Sequence, residues 1–476
     1  MNYEAVIGLE VHVELSTKTK IYCGCTTKFG GNPNTHVCPI CLGLPGSLPQ
    51  LNKKVVEYGM KAGIALNCSI TKLGRMDRKN YFYPDCPKDY QITQYELPLC
   101  RDGYIEIENK NGEKRRIRIE RIHIEEDAGK LIHTKTCTMV DYNRAGVPLI
   151  EIVSKPDIRT LEEATLYLQK LKSILSWINV SDCKMEEGSL RCDGNISIRQ
   201  VGETELGVKS EIKNMNSFKA LQKALDYEYK RQVNCLENGI KLVHETRRWE
   251  ENREETIVMR NKEQANDYRY FPEGDLVTLS ISDEWIEKIK KTIPELPYKK
   301  AERFIAEYKI PKYDAYILTM SMSMADFFEE TAKLSEDSKA ASNWLMGDLS
   351  RLMNENNISI QSLKFTPLHL SKLINLINSG IISNNIGKKV LEEMFQSGKM
   401  PEVIVEEKSL LQNNNEELIL EAVKKIIKAN TSTIDDYKSG KTKVLGFLVG
   451  LVMKETSGKA NPQLVNKLII HEIQKI

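Results

Sequence analysis

Neither of the glycine-rich loops that commonly cradle nucleotide phosphates is present: no G-x-x-x-x-G-K-S/T run occurs, and no G-x-G-x-x-G follows a strand. A standard nucleotide-triphosphate fold is therefore not supported. No G-x-S-x-G elbow occurs, and no Cys, His and Asp arrangement stands out, so the chain lacks its own apparatus for covalent amide hydrolysis. Charge of one sign is also missing. With a net charge of +2, no bulk basic excess announces nucleic acid, and any such contact must use local patches. Long apolar runs are absent as well. The longest, Val444 to Met453, is broken by Gly446 and Gly450 and falls far short of the roughly 20 residues that span a bilayer, so it is predicted to be a buried helix. The first residues carry no basic and apolar signal segment. The eleven cysteines, an odd number, form no small-domain disulfide framework, and a reducing cytoplasm is the expected compartment.

Four of those cysteines are not scattered. Cys23 and Cys25 are followed, after twelve residues that include Gly30, Gly31 and Pro33, by Cys38 and Cys41. Two close pairs brought together by a loop make the tetrahedral thiolate cage of a structural zinc site. A redox couple or buried small hydrophobes would be the alternative, but the first pair is C-x-C and no thioredoxin-like pattern surrounds the second. Just upstream, Glu10, His12 and Glu14 alternate through an apolar run, so in a strand they share one face. That face offers either metal ligands or a solvated strand surface.

A chain of 476 residues suits about three domains. Residues 1–294 alternate between strand patterns, such as Tyr104–Glu108 and Arg116–Glu125, which Asn111-Gly112 joins as a hairpin. Helical periodicity appears over Leu161–Ile178 and Ser217–Asn234, giving an α+β region with a substantial antiparallel sheet. After Pro294, Pro297 and Pro311 the pattern turns helical, and 295–400 is read as a helical domain. A break at Gly398–Pro401 and the Asn413–Asn415 loop set off 401–476 as a small helical tail.

Acidic residues gather in the first region. His123, Glu125 and Asp127 are predicted to share a strand face that ends at Gly129. Glu151 stands alone in an apolar strand, where an unsatisfied carboxylate costs several kcal/mol. Further carboxylates lie at Glu186, Glu187, Asp193 and Glu211. Oxygen ligands converging from separate strands are what Mg²⁺ requires at a nucleotide site, although ion pairs with nearby lysines and arginines would use the same residues. The Pro-bounded loop Tyr81–Tyr90, preceded by Arg75, Arg78 and Lys79, combines aromatics and cations. It suits an anionic substrate carrying a ring system, or simply covers the core.

Taken together, Gly8–His12, Arg78–Asp85, Glu125–Lys130, Asp141–Glu151, Asp267–Pro272, Asn343–Leu349 and Gly458–Gln463 resemble the B subunit of the tRNA-dependent aspartyl/glutamyl amidotransferases, over essentially the whole chain. The resemblance implies an N-terminal cradle, a helical domain and a tail that meets tRNA. It implies phosphorylation by ATP of the side-chain carboxylate of Glu-tRNA(Gln) or Asp-tRNA(Asn), then amidation by ammonia. An amidase-like glutaminase partner, the A subunit, would make that ammonia from glutamine, and a small C subunit would complete a heterotrimer. His12, Glu125 and Glu151 match the family's magnesium positions, with Glu10, Asp193 and Glu211 as possible further ligands. Lys79, Tyr81 and Lys88 match its active-site loop, and Cys23, Cys25, Cys38 and Cys41 its zinc site. Lys441, Lys443, Lys454 and Lys459 would be the tail's tRNA contacts. Cys86 and Asp89 depart from the family's usual Leu and Gly, and Asp89 places an extra negative charge beside Lys88. The competing reading is a non-catalytic, zinc-containing RNA-binding scaffold whose carboxylates serve only as ion pairs.

Overall fold

The computed structural model describes residues 3–261, 268–410, 416–438, 444–456, 460 and 462–475. It divides into two compact units that meet in sequence at Leu296 and Pro297.

The strands of the first unit, in chain order, are β1 (Tyr3–Glu14), β2 (Ser69–Ile70), β3 (Leu73–Gly74), β4 (Asp77–Asn80), β5 (Tyr90–Thr93), β6 (Cys100–Glu108) and β7 (Lys114–Glu126). They continue with β8 (Lys130–His133), β9 (Thr138–Asp141), β10 (Pro148–Ser154), β11 (Leu190–Gln200), β12 (Ser210–Met215), β13 (Glu245–Glu250) and β14 (Glu255–Asn261). Nine of them form one sheet in the order β14-β13-β12-β11-β1-β10-β7-β6-β2. Every neighbouring pair is antiparallel except β12 and β13, which are parallel. The mainly antiparallel sheet expected from the alternating patterns is thus present. β1 lies at its middle because its apolar positions Ala5, Ile7, Leu9, Val11 and Val13 bury one face completely, leaving Glu10, His12 and Glu14 on the other.

Three helices cover the apolar face: α1 (Lys53–Ala65), α2 (Leu161–Trp177) and α3 (Phe218–Glu237). α2 starts where a capping box forms, Thr160 accepting from the Glu163 amide while Glu163 reaches back to the cap amide. α1 approaches β6 closely through Gly59 and Gly63; a methyl group at Gly59 would lie 2.5 Å from Leu99 Cδ2. A smaller sheet of β5, β4 and the pair Phe271–Pro272 stands beside the site and carries Arg78 and Lys79.

Some sequence expectations change. The β6–β7 hairpin closes through the loop 109–113 rather than a two-residue turn, with Asn109 Oδ1 accepting from Asn111 and Glu113 amides and Gly112 at φ +83°. β7 ends at Glu126, so Asp127 lies beyond the strand and does not continue the His123–Glu125 face. A further helix, Asp283–Lys290, already precedes Pro294.

The second unit is helical where it is described, from Pro297–Tyr308 onward, with one π-helical turn at Leu345–Leu349. The helix Pro401–Glu407 packs on the helices Pro367–Asn378 and Asn384–Ser397. Helices Glu416–Ala429, Thr431–Lys438, Val444–Glu455 and Pro462–Gln474 close around their own core of Ile419, Val423, Ile427, Leu448, Val452, Val465 and Ile469. The apolar run is not the buried helix expected: Leu448 and Val452 are buried, whereas Phe447 is 55% exposed. No described helix is long and apolar enough to cross a membrane.

Candidate active site

Strand register places one row of side chains across four neighbouring strands. His12 of β1 faces Arg191 of β11 on one side and Glu151 of β10 on the other, and Glu151 faces His123 of β7. Glu151 is buried, yet it is not stranded. His12 Nε2 lies 3.2 Å and His123 Nε2 3.5 Å from its Oε2. Two residues along β7, Glu125 lies 3.6 Å from His123, accepts from Thr93 Oγ1 at 3.0 Å and pairs with Lys79 Nζ at 3.4 Å. A strand with its face turned to solvent would not bury three such groups; here burial and pairing go together.

The electrostatics follow from those distances. Burial works to raise the Glu125 pKa, but Lys79 and then the two imidazoles outweigh it and hold the carboxyl well below the usual range. Glu151 is likewise brought down to about 2, His123 and His12 overcoming its burial. His12 is raised: burial opposes its charge, and the hydrogen bond and charge of Glu151 prevail. Glu10 is raised by burial and by the Glu151 carboxylate, against the smaller opposing effects of His12 and Lys213.

Potential ligand atoms converge in two groups that share Glu151. One is Glu10, His12 and Glu151; the other is His123, Glu125 and Glu151, each within 4.8 Å. The carboxylate oxygens of Glu10, Glu125 and Glu151 suit a hard divalent cation, with the imidazole nitrogens as borderline ligands beside them. Asp193 and Glu211 belong to neither group. Asp193 stands opposite Glu10 in the sheet, but both acids are taken by Lys213, at 2.7 and 2.9 Å.

The cationic residues arrive on the small sheet and its loop. Lys79 sits between Glu125 and the face of Tyr268, 5.3 Å from its centroid. Tyr268 belongs to the described part of the Asp267–Pro272 segment; Asp267 itself lies outside the described residues. The Tyr81 hydroxyl meets Cys86 within the loop, and burial pushes its pKa up, so it stays protonated and keeps a proton to donate. Lys88 does not lean on Asp89, which is exposed; it pairs with Glu126. Glu126 is a partner that alternation along the strand does not point to. Strict alternation turns it away from Glu125, and on that opposite face it accepts from the Ile92 amide at 2.8 Å and takes Lys88 as its partner. The signal was three consecutive acids, Glu125, Glu126 and Asp127, at a strand end. Asp127 joins Arg191 at 2.6 Å and Glu14, whose carboxyl burial and the Asp127 charge push up to about 8.

The sulfurs of Cys23, Cys25, Cys38 and Cys41 converge within 4.8 Å. The Cys38 amide donates to Cys41 Sγ at 3.2 Å, and the buried Lys20 ammonium lies 3.7 Å from the same sulfur. Four thiols with an amide and a cation aimed at one of them fit a metal held as thiolates. Of the tail lysines, Lys454 is exposed on the helix Val444–Glu455, while Lys441, Lys443 and Lys459 lie outside the described residues.

Against known proteins, residues 5–287 match a family described as the GatB/GatE catalytic domain, and residues 326–473 match one described as the GatB domain. The chain is 73% identical over 476 residues to the B subunit of the aspartyl/glutamyl-tRNA(Asn/Gln) amidotransferase of Clostridium botulinum (strain 657 / Type Ba4), covering all of both chains. It is 70% identical, again over all of both chains, to the protein of the same name from Clostridium tetani (strain Massachusetts / E88).

Proposed function

Because the chain belongs to the GatB/GatE family and aligns end to end with B subunits of aspartyl/glutamyl-tRNA(Asn/Gln) amidotransferases, we propose that its first unit activates the side-chain carboxylate of a tRNA-bound glutamate or aspartate and amidates it. The protein is a component of a multi-subunit, tRNA-dependent amidotransferase. A carboxylate is a poor acyl donor, and its charge repels the oxygens of ATP. One carboxylate oxygen attacks the γ-phosphorus, the bond to ADP breaks, and the resulting acyl phosphate is an electrophile. Ammonia then forms the C–N bond, phosphate leaves, and a proton is released.

The residues divide that work. His12, Glu125 and Glu151, with Glu10, would hold Mg²⁺, which when bound neutralises phosphate oxygens. Lys79 supplies positive charge beside that cluster, and Lys88 and Tyr81 are donors for the phosphate or acyl oxygens. Asp193 and Glu211 are held by Lys213 beside that cluster. The thiolate cage is read as zinc and as scaffold. An amidase-like A subunit and a small C subunit are the proposed partners, consistent with the missing amide-hydrolysing nucleophile, and the cytoplasm the proposed compartment. The scaffold alternative gains no support from the family or from the full-length relatives, which are amidotransferase subunits.

The observation that carries this reading is the row from His12 through Glu151 to His123, with Glu125 and Lys79 at its edge. Glu125→Gln in the assembled enzyme should abolish ADP release on glutamyl-tRNA while leaving tRNA affinity within about twofold. Undiminished ADP release from that variant would remove the carboxylate cluster from the reaction.

A further inference from the structure

The thiolate cage and the Lys88–Glu126 pair are neighbours through a single glycine. After Cys38 the chain folds into a tight knuckle, the Leu42 amide donating to Cys38 carbonyl at 3.1 Å and the Gly43 amide to Ile40 carbonyl at 3.0 Å. This leaves Gly43 at φ +65°, its bare Cα turned onto the stem of Lys88. A methyl group there would overlap Lys88 Cγ, and would stand only 3.3 Å from Lys88 Cβ and 3.4 Å from its Cα. These atoms sit next to the backbone, so the lysine cannot swing clear as the tip of a long side chain would.

A cavity of about 100 Å³ adjoins the same contact, lined among others by Cys23, Cys41, Gly43, Lys88, Tyr90 and Glu126. Gly146 closes it: a methyl group at that residue would lie 3.6 Å from Cys41 Cβ and 3.9 Å from Glu126 Oε2. We propose that Gly43 is a positioning residue, through which the metal-braced knuckle presses the Lys88 stem into place and so aims its ammonium at Glu126. The inference rests on the reading of Lys88 as part of the amidation site. The knuckle contributes the surface against which Lys88 is packed, and the cage keeps that surface in place. Lys79, mounted on β4 and paired with Glu125, is independent of the knuckle.

The test is acylation footprinting of lysines in the full-length chain, followed by peptide mass spectrometry. Lys88 is only 10% exposed, so its labelling is slow in the native protein, and Lys79 serves as the internal reference. Gly43→Ala should speed labelling of Lys88 at least fivefold and leave Lys79 within twofold. Gly46→Ala is the control, because Gly46 is also left-handed, at φ +84°, but nothing lies within 4 Å of a methyl group placed there. It strains the same loop and should leave Lys88 labelling unchanged. Stripping the metal from the unsubstituted chain with a chelator should reproduce the Gly43→Ala pattern. Equal labelling in both alanine variants, or a parallel rise at Lys79, overturns the proposal. ADP release by the assembled Gly43→Ala enzyme separates the two layers: a changed footprint with unchanged turnover keeps the contact and removes Lys88 from the chemistry.

Discussion

At the scale of single residues, the site works by setting burial against pairing. Glu151 lay in the sequence as a lone acid in an apolar strand, and the need for a partner was legible there. The partners were not, because His12 and His123 are more than a hundred and nearly thirty positions away, and only register across β1, β10 and β7 brings them in. The raised His12 pKa gives two opposite pH dependences. Without metal, the His12–Glu151 pair stabilises the fold fully below the unfolded histidine pKa of about 6.5 and is lost as pH rises through the raised native value. Divalent affinity runs the other way, since a protonated imidazole cannot ligate. Mn²⁺ binding measured by titration calorimetry should therefore weaken between pH 8 and pH 6, approaching tenfold per unit once pH lies below the native value. Chemical denaturation of the metal-free chain should show the pair's contribution growing over the same interval, compared with Glu151→Gln. A metal affinity flat in pH would mean that His12 is no ligand.

At the scale of elements, the parts of the fold with one dominant period were readable. β1, α2 and α3 lie close to where alternation and helical spacing put them, and Ser217 begins α3 as a cap. What failed to show were effects of ends and of long-range partners. Glu126 finds its partners Lys88 and Ile92 on the face opposite Glu125, and the helix Val444–Glu455 has an apolar sequence all round but only one buried stripe. The attachment of α3 to β13 and β14 was also hidden. Glu228 on that helix is fully buried and accepts from Arg231 at 2.6 Å, Gln232 at 3.0 Å and Thr256 at 3.0 Å, while Arg247 lies 3.4 Å away. Removing its charge leaves Arg231 and Arg247 to share the single carboxylate of Glu245. Glu228→Ala should cost about 3–5 kcal/mol in urea denaturation, as expected when one member of a buried pair is deleted. Burial opposes ionisation of Glu228, but Arg231 and its other donors hold the pKa below the ordinary value. Its contribution is therefore present above the unfolded pKa of about 4.3 and disappears as pH falls through the native one. The difference between native and variant should shrink on acidification; a constant difference from pH 7 to pH 3 would assign the loss to packing alone.

At the scale of the whole molecule, the candidate site sits in the first unit, whereas the last four helices make a core from their own residues. A segment that buries its apolar face internally can be removed without exposing its neighbours. Deleting 411–476 should therefore leave thermal unfolding of the remainder cooperative and nearly unshifted. Its effect on tRNA is expected in the salt dependence. Each lysine that neutralises a phosphate contributes a slope of about 0.7–0.9 in a plot of log affinity against log salt. If Lys441, Lys443, Lys454 and Lys459 all engage, the truncated chain should lose about three of that slope, together with most of its affinity at low salt. Because the net charge of the whole chain is only +2, there is little diffuse attraction to mask such a local loss. Filter binding of uncharged tRNA from 50 to 300 mM KCl reads both quantities. A truncated protein with an unchanged slope would move the recognition surface off the tail, whatever its effect on turnover.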